Sequence, residues 1–405
     1  MTSTQDGADA TRAWRPAGLP IRVGLVGLGN IGLGQHVPAL TSLPGLVRLV
    51  AVADPSADRR RLAANATGLD ASAIHATPEE LLTRTDLDVV DLATPPNIRT
   101  PLALRSIAAG MAVLCEKPLA TVPFDGAMVV RAAAAAGIPV GMVHNYLAFP
   151  EIIAARTAIG EGTIGAPEVA ILNYLGVVDH PGNNAWQPNW RHDPAVAGGG
   201  VLMDMLHVVY VAEALIGQPF RRVSAEILAR TDQAPVEDIA LCRFEADRAV
   251  ALVNVGWGVG PGGIAVSGRE GRIEITYAGG GTGPFAPLAA IRLVRRDGRV
   301  EDRMPAPAAD QATVNVELLA TLRDFFERLA AGRPPMATAA DGLNVLEATL
   351  GAYASAATGR SVELPLDTEH PVHRRGIAGL ADLPLTAGGA IARHGTFGIG
   401  NGGAI

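Results

Sequence analysis

Cysteine is scarce: the chain has two, Cys115 and Cys242, far apart in sequence. Two thiols exclude a disulfide framework and a four-cysteine zinc site, and they suit a reducing compartment. No metal centre is expected. Aromatic residues make up only 4%, so the core must rest on Ala, Val, Leu and Ile. Long apolar runs are missing as well. The best candidate, Val201 to Ile216, is interrupted by Asp204, His207 and Glu213, which argues against a membrane span. The first 20 residues are polar, with Asp6, Asp9, Arg12 and Arg15, unlike a secretory signal. A cytoplasmic protein is the expectation. An excess of positive charge is absent too. The net charge is -7, and Arg59-Arg60-Arg61 reads as a solvated helix face. No nucleic-acid partner is expected.

What is present is ample apolar material. With 405 residues and 48% hydrophobic content, the chain is long enough for two domains. Residues 1–20 read as a flexible extension. From Ile21 strands and helices alternate. Strands are expected at 21–26, 48–53, 73–75, 88–93, 112–115 and 139–143, and helices between them. Short turns joining such elements specify an α/β fold, a doubly wound parallel sheet of Rossmann type over residues 21–143. After 144 the rhythm changes. Strand-like runs at 169–177, 222–229, 237–245, 249–256 and 268–276 predict an α+β domain on an open mixed or antiparallel sheet. One helix is expected from the triple glycine Gly198-Gly199-Gly200 to about Ile216, and late helices at 317–331 and 340–356. The second domain is placed at 144–366, and 367–405 is a glycine-rich tail.

The first chemical motif is Gly27-Leu28-Gly29-Asn30-Ile31-Gly32. Gly-x-Gly-x-x-Gly alone is a weak signal among 47 glycines, but here it follows a strand and opens a helix. Gly27 permits the tight turn, Gly29 lets the backbone approach a pyrophosphate, and Gly32 allows close helix–sheet packing. The helix N-terminus offers free N–H groups to phosphates. Asp54 ends the next strand, 22 residues after Gly32. Its carboxylate suits both ribose hydroxyls and repels a 2′-phosphate, which favours NAD. Arg59 and Arg60 keep NADP open as an alternative.

Two further clusters carry chemistry. Cys115-Glu116-Lys117-Pro118 lies at the carboxyl end of the fifth strand, where such sheets bind ligands. In the run from Gly198 to His207, Asp204 and His207 are three residues apart, so an unbroken helix would project both from one face. A histidine suits proton transfer near neutral pH, and a lysine stabilises a forming alkoxide.

These clusters, in this order, resemble the Gfo/Idh/MocA family, which includes glucose–fructose oxidoreductase and inositol dehydrogenase. The matching stretches are Gly27 to Pro38, Val50 to Pro55, Thr94 to Asn97, Gly110 to Ala120, Gly198 to His207, and Gly332 to Leu364, so the resemblance spans about residues 20–366. It implies that Thr94, Pro95, Asn97, Glu116 and Lys117 join Gly27, Gly29, Asn30, Ile31, Gly32 and Asp54 around the cofactor. It also implies that Lys117 contacts the substrate hydroxyl, that His207 accepts the proton and that Asp204 orients the substrate. A homo-oligomer, dimer or tetramer, is the family expectation.

Four departures bear on the proton relay. Asp204 and His207 are three residues apart where the family has four. Tyr210 stands where the family has an acidic residue. Arg99 replaces a histidine after the Thr-Pro segment. His144-Asn145-Tyr146 after the sixth strand also differs from the common form. His144 and Asn145 are candidates for substrate contact or for a share of the relay, and Trp190 and Arg191, in a loop that also holds Trp186 and His192, are candidates for substrate contact. The implied activity is NAD(P)-dependent oxidation of a ring hydroxyl of a sugar, cyclitol or glycoside, or the reverse. One alternative is transient oxidation with recycled bound NAD, giving net glycoside cleavage or epimerisation. Another is a nucleotide-sensing binding protein without catalysis.

Overall fold

The computed structural model describes residues 14–179, 190–229, 235–258, 260–280, 286–304 and 314–384. Trp186, most of the expected 1–20 extension and the segment 385–405 lie outside them. The first half is a strand–helix alternation: β1 (Ile21–Val26), α1 (Val37–Thr41), β2 (Val47–Ala53), α2 (Ala57–Thr67), β3 (Ile74–His75), α3 (Pro78–Leu82), β4 (Val89–Leu92), α4 (Arg99–Ala108), β5 (Ala112–Cys115), α5 (Pro123–Ala136) and β6 (Val140–Met142). The sheet order is β3-β2-β1-β4-β5-β6, with all pairs parallel. β4 and β5 are buried at every residue, as strands covered on both faces must be. The order in which strands are added reverses between β1 and β4. Their carboxyl ends, leading to Gly27 and Thr94, open the crevice where such sheets hold ligands.

The second half adds α6 (Pro150–Gly160), β7 (Pro167–Val177), α7 (Pro194–Ala197), α8 (Val201–Asp204), α9 (Leu206–Ile216), β8 (Arg222–Leu228), β9 (Ile239–Glu245), β10 (Val250–Trp257), β11 (Gly262–Gly268), β12 (Gly271–Tyr277), β13 (Leu288–Arg295) and β14 (Val300–Asp302). Then come α10 (Val316–Ala330), α11 (Ala339–Thr358), β15 (Val362–Glu363) and α12 (Pro371–Arg375). Nine strands form one mixed sheet, β14-β13-β12-β11-β7-β10-β9-β8-β15, in which β7 and β10 pair in parallel. Its strands alternate buried and exposed residues, and one face packs on α9 and α11. The run expected at 268–276 is the second arm of a hairpin whose first arm, β11, begins and ends in glycine.

Two terminal segments are docked. Trp14 donates its indole N–H to the Gly110 carbonyl at 2.9 Å, and the Ala17 amide donates to Asp88 at 3.1 Å. Early in the expected glycine-rich tail, Val372, Ile377 and Leu380 are buried in the core shared with α11. Among the described residues no single helix is long and apolar enough to cross a membrane.

Candidate functional site

The glycine turn leaves β1 and enters a helix that widens to one π-type turn at Gly32–His36 before α1. The three motif glycines have different causes. Gly27 has φ +96°, and a Cβ there would lie 2.5 Å from the Ala93 carbonyl oxygen. A Cβ on Gly32 would lie 1.9 Å from the Gly27 oxygen. Both are required by the protein's own backbone. At Gly29 the only atom near a Cβ is the tip of the Arg59 side chain, at 3.3 Å. Gly29 lines the main cavity, so its missing side chain leaves room for a ligand. That is the fit expected of a pyrophosphate-binding turn.

Asp54 stands at the end of β2 with both oxygens anchored. Oδ2 accepts from the Leu28 amide at 2.8 Å, and Oδ1 from the Ser56 amide at 2.8 Å. Arg60 donates to the carbonyls of Asp54 and Pro55, and Arg59 donates to the Leu28 carbonyl at 3.2 Å. The two arginines that kept a 2′-phosphate open are thus engaged with backbone.

The cavity has a volume of about 1250 Å³ and reaches from this turn to the second sheet. It brings together Gly27, Gly29, Asn30, Ile31, Asp54, Thr94, Pro95, Glu116, Lys117, Asn145, Trp190, Arg191, Asp204 and His207. Three expected site residues are not in its wall. Gly32 packs behind the turn. Asn97 is exposed on a short helical turn beyond Pro95. His144 is 3% exposed, because its ring stacks on Tyr210 at 4.0 Å. Burial pushes its imidazole down to about 4.

Lys117 reaches the cavity from the end of β5. Its Nζ donates to the Asp204 backbone carbonyl and lies 3.3 Å from Asp204 Oδ1. Arg191 Nε is 3.5 Å from the same oxygen. Burial opposes ionisation of Asp204, but Lys117 and Arg191 outweigh it and hold the carboxyl below its ordinary range. The helix expected to run unbroken through Asp204 and His207 is in fact broken. It bends by 46° between Asp204 and Leu206, with Met205 at φ −96°, ψ 23°. In a continuous helix the Asp204 carbonyl would accept from the Val208 amide. Here Lys117 takes that carbonyl, and Val208 donates to Met205 at 2.9 Å. The start of α8 is held by buried Glu237, which accepts from the Gly200 and Leu202 amides at 2.9 Å each and from the Tyr353 hydroxyl at 2.5 Å.

His207 begins α9 beyond the break. Its ring stacks on Tyr146 at 4.0 Å, and Nδ1 lies 2.6 Å from the Tyr210 hydroxyl. Burial, with Lys117 and His144 nearby, holds it well below the ordinary histidine value.

Three features of the site were not anticipated. Fully buried His36 bridges Asp91 (2.7 Å) on β4 and Glu116 (3.2 Å) beside Lys117. Burial opposes its charge, but the two carboxylates raise its pKa to about 10. Arg99 is also buried and donates to the carbonyls of Thr94 and Pro118, tying together the two loops that flank the cavity. Finally, Lys117 is the only lysine in the chain, against 32 arginines. Every other permanently charged basic side chain is an arginine. A residue count alone carries this signal.

A sheet in this order, with a ligand-ready glycine turn and an anchored acidic residue after β2, marks a dinucleotide-binding domain. Comparison with known proteins narrows this. Residues 21–144 match the model of an oxidoreductase family with an NAD-binding Rossmann fold, and residues 152–275 match the GFO/IDH/MocA C-terminal domain. The chain belongs to the Gfo/Idh/MocA oxidoreductase family. It is 29% identical to 1,5-anhydro-D-fructose reductase of Ensifer adhaerens over 352 residues, 85% of this chain and 98% of that one. It is 29% identical to inositol 2-dehydrogenase 4 of Saccharopolyspora erythraea over 285 residues, 66% of this chain and 79% of that one. Among solved structures, levoglucosan dehydrogenase in complex with NADH and levoglucosan shares the fold. Its TM-score is 0.73 at 23% identity, covering 85% of this chain and 99% of that one.

Proposed function

We propose that the protein oxidises a ring hydroxyl of a sugar, cyclitol or glycoside to the ketone, or catalyses the reverse, with residues 21–143 holding NAD and 144–366 shaping the substrate site. The observation that carries this reading is the meeting of Lys117, Asp204 and His207 in the cavity that begins at Gly29. The nicotinamide, when bound, accepts or returns a hydride. The protein must then manage the proton on the substrate oxygen. Lys117 is the cationic group for that oxygen and is aimed by Asp204. His207 lines the same cavity. Asn145, Trp190 and Arg191 line the cavity nearby and suit a polyhydroxylated ring. The relatives named as acting on an anhydro-sugar and on inositol support this substrate class.

The test is absorbance at the NADH band while sugars, cyclitols and glycosides are screened with NAD and with NADP. We expect turnover with NAD. Lys117→Ala and His207→Ala should each lower turnover by at least ~100-fold, with NADH affinity nearly unchanged. Full activity in the Lys117 variant would overturn the assignment.

A further inference from the structure

Tyr210 and His207 form a buried pair whose hydrogen bonding is over-determined. The Tyr210 hydroxyl has two partners among the described residues: the Tyr146 amide at 3.1 Å and His207 Nδ1 at 2.6 Å. The amide has only a proton to give, so one lone pair of the phenol oxygen is committed to it. The hydroxyl proton then needs an acceptor, and His207 Nδ1 is the acceptor within reach. The opposite arrangement, with Nδ1–H donating to the phenol, would leave a buried O–H with no protein acceptor. The rings cannot turn away from this choice. His144 lies flat on Tyr210 at 4.0 Å and Tyr146 flat on His207 at 4.0 Å, so four aromatic groups from the β6 exit and α9 clamp one another.

We propose that Tyr210 is a positioning residue that locks His207 as the neutral tautomer with its proton on Nε2, so that His207 is a fixed hydrogen-bond donor to the substrate oxygen and not the base. The proposal rests on the functional reading above and refines it. With Nδ1 occupied and Nε2 protonated, the imidazole has no lone pair to receive a proton. The depressed basicity of His207, set by burial and by Lys117, agrees with a neutral ring. In reduction the Lys117 ammonium gives one proton to the carbonyl oxygen as a hydride reaches the carbon, and the amine left behind regains a proton from solvent; oxidation runs the same steps in reverse. Lys117 suits this task because a lysine amine exchanges a proton where a guanidinium does not. In this chain, with its single lysine, no arginine has taken the position.

Two measurements test the proposal. The first is ¹⁵N NMR of the histidine-labelled protein with NADH bound, the His207 signals being assigned by their loss in His207→Gln. The expected spectrum is a hydrogen-bonded, unprotonated Nδ1 and a protonated Nε2. A protonated Nδ1 with a bare Nε2 would overturn the lock. The second is kinetic. A glutamine amide sits near the place of imidazole Nε2 and donates but does not titrate. His207→Gln should retain at least ~10-fold more turnover than His207→Ala. Equal loss in the two variants of a protein whose wild type is active would restore His207 as the base. Absence of wild-type turnover over the whole substrate panel would instead refute the functional reading itself.

Discussion

At the scale of single residues, the chain carries thirty-two arginines and one lysine, and that lysine lines the cavity. Lys117→Arg keeps the positive charge beside Asp204 but holds its proton, so turnover should fall by ~100-fold while NADH binding, measured by fluorescence titration, changes little. Wild-type rates in that variant would mean that charge alone is used. His36 offers a second test. Its pKa is about 10 in the folded protein against 6.5 for a free histidine. A raised pKa means that the stabilisation is complete below pH 6.5 and is lost as pH rises through 10. The melting-temperature gap between wild type and His36→Asn should therefore be widest near pH 6 and should close towards pH 10. A gap that stays constant would remove the charge from His36. The motifs pointed to Lys117, Asp204 and His207. They did not point to His36, because its partners Asp91 and Glu116 lie 55 and 80 positions away and meet it only when β1, β4 and β5 stand side by side.

At the scale of elements, the glycine turn divides its labour. Gly32 is confined by backbone, 1.9 Å from a Cβ position to the Gly27 oxygen, whereas Gly29 faces the cavity. Gly32→Ala should therefore cost stability, about 1–3 kcal/mol by chemical denaturation, as an overpacked contact does. Gly29→Val should leave the unfolding midpoint nearly unchanged and weaken NADH at least ~10-fold, about 1.4 kcal/mol. A Gly29 variant that binds NADH normally would show that the pyrophosphate lies elsewhere. The break at Met205 belongs to this scale too. The run from Val201 to Ile216 reads as one helix, since it is mostly apolar and contains no glycine or proline. The interruption comes from outside the segment, from Lys117 taking the Asp204 carbonyl. A single window of sequence has no access to such a competitor.

At the scale of the whole molecule, the parallel sheet of residues 21–142 is covered in part by a helix from late in the chain. Helix α10, which follows the nine-stranded sheet in sequence, lays Leu318, Leu322, Phe325, Phe326 and Leu329 on Ile21, Val23, Val89, Ala112 and Leu114 of the parallel sheet. Met142 also donates to the Ala337 carbonyl at 2.9 Å. A fragment ending near residue 150 would expose that apolar face to water. We expect it to aggregate or to lack a cooperative melt by circular dichroism, while a fragment to which residues 314–384 are restored in trans regains solubility. A monomeric, cooperatively melting short fragment would show that α10 is dispensable.

The sequence alone determined the features that depend on neighbours along the chain. Strand–helix alternation set the parallel sheet, the spacing of Gly27, Gly29 and Gly32 marked the turn, and the Glu116-Lys117-Pro118 segment put Lys117 at the carboxyl end of β5. Tertiary structure decided what depends on groups brought together from separate strands. It took His144 out of the cavity wall and put it against Tyr210. It broke the helix between Asp204 and His207. It buried His36 between two carboxylates. The reason is common to all three: hydrogen bonds and burial act through space, and a partner tens of residues away leaves no periodic trace in the sequence around the residue that it holds.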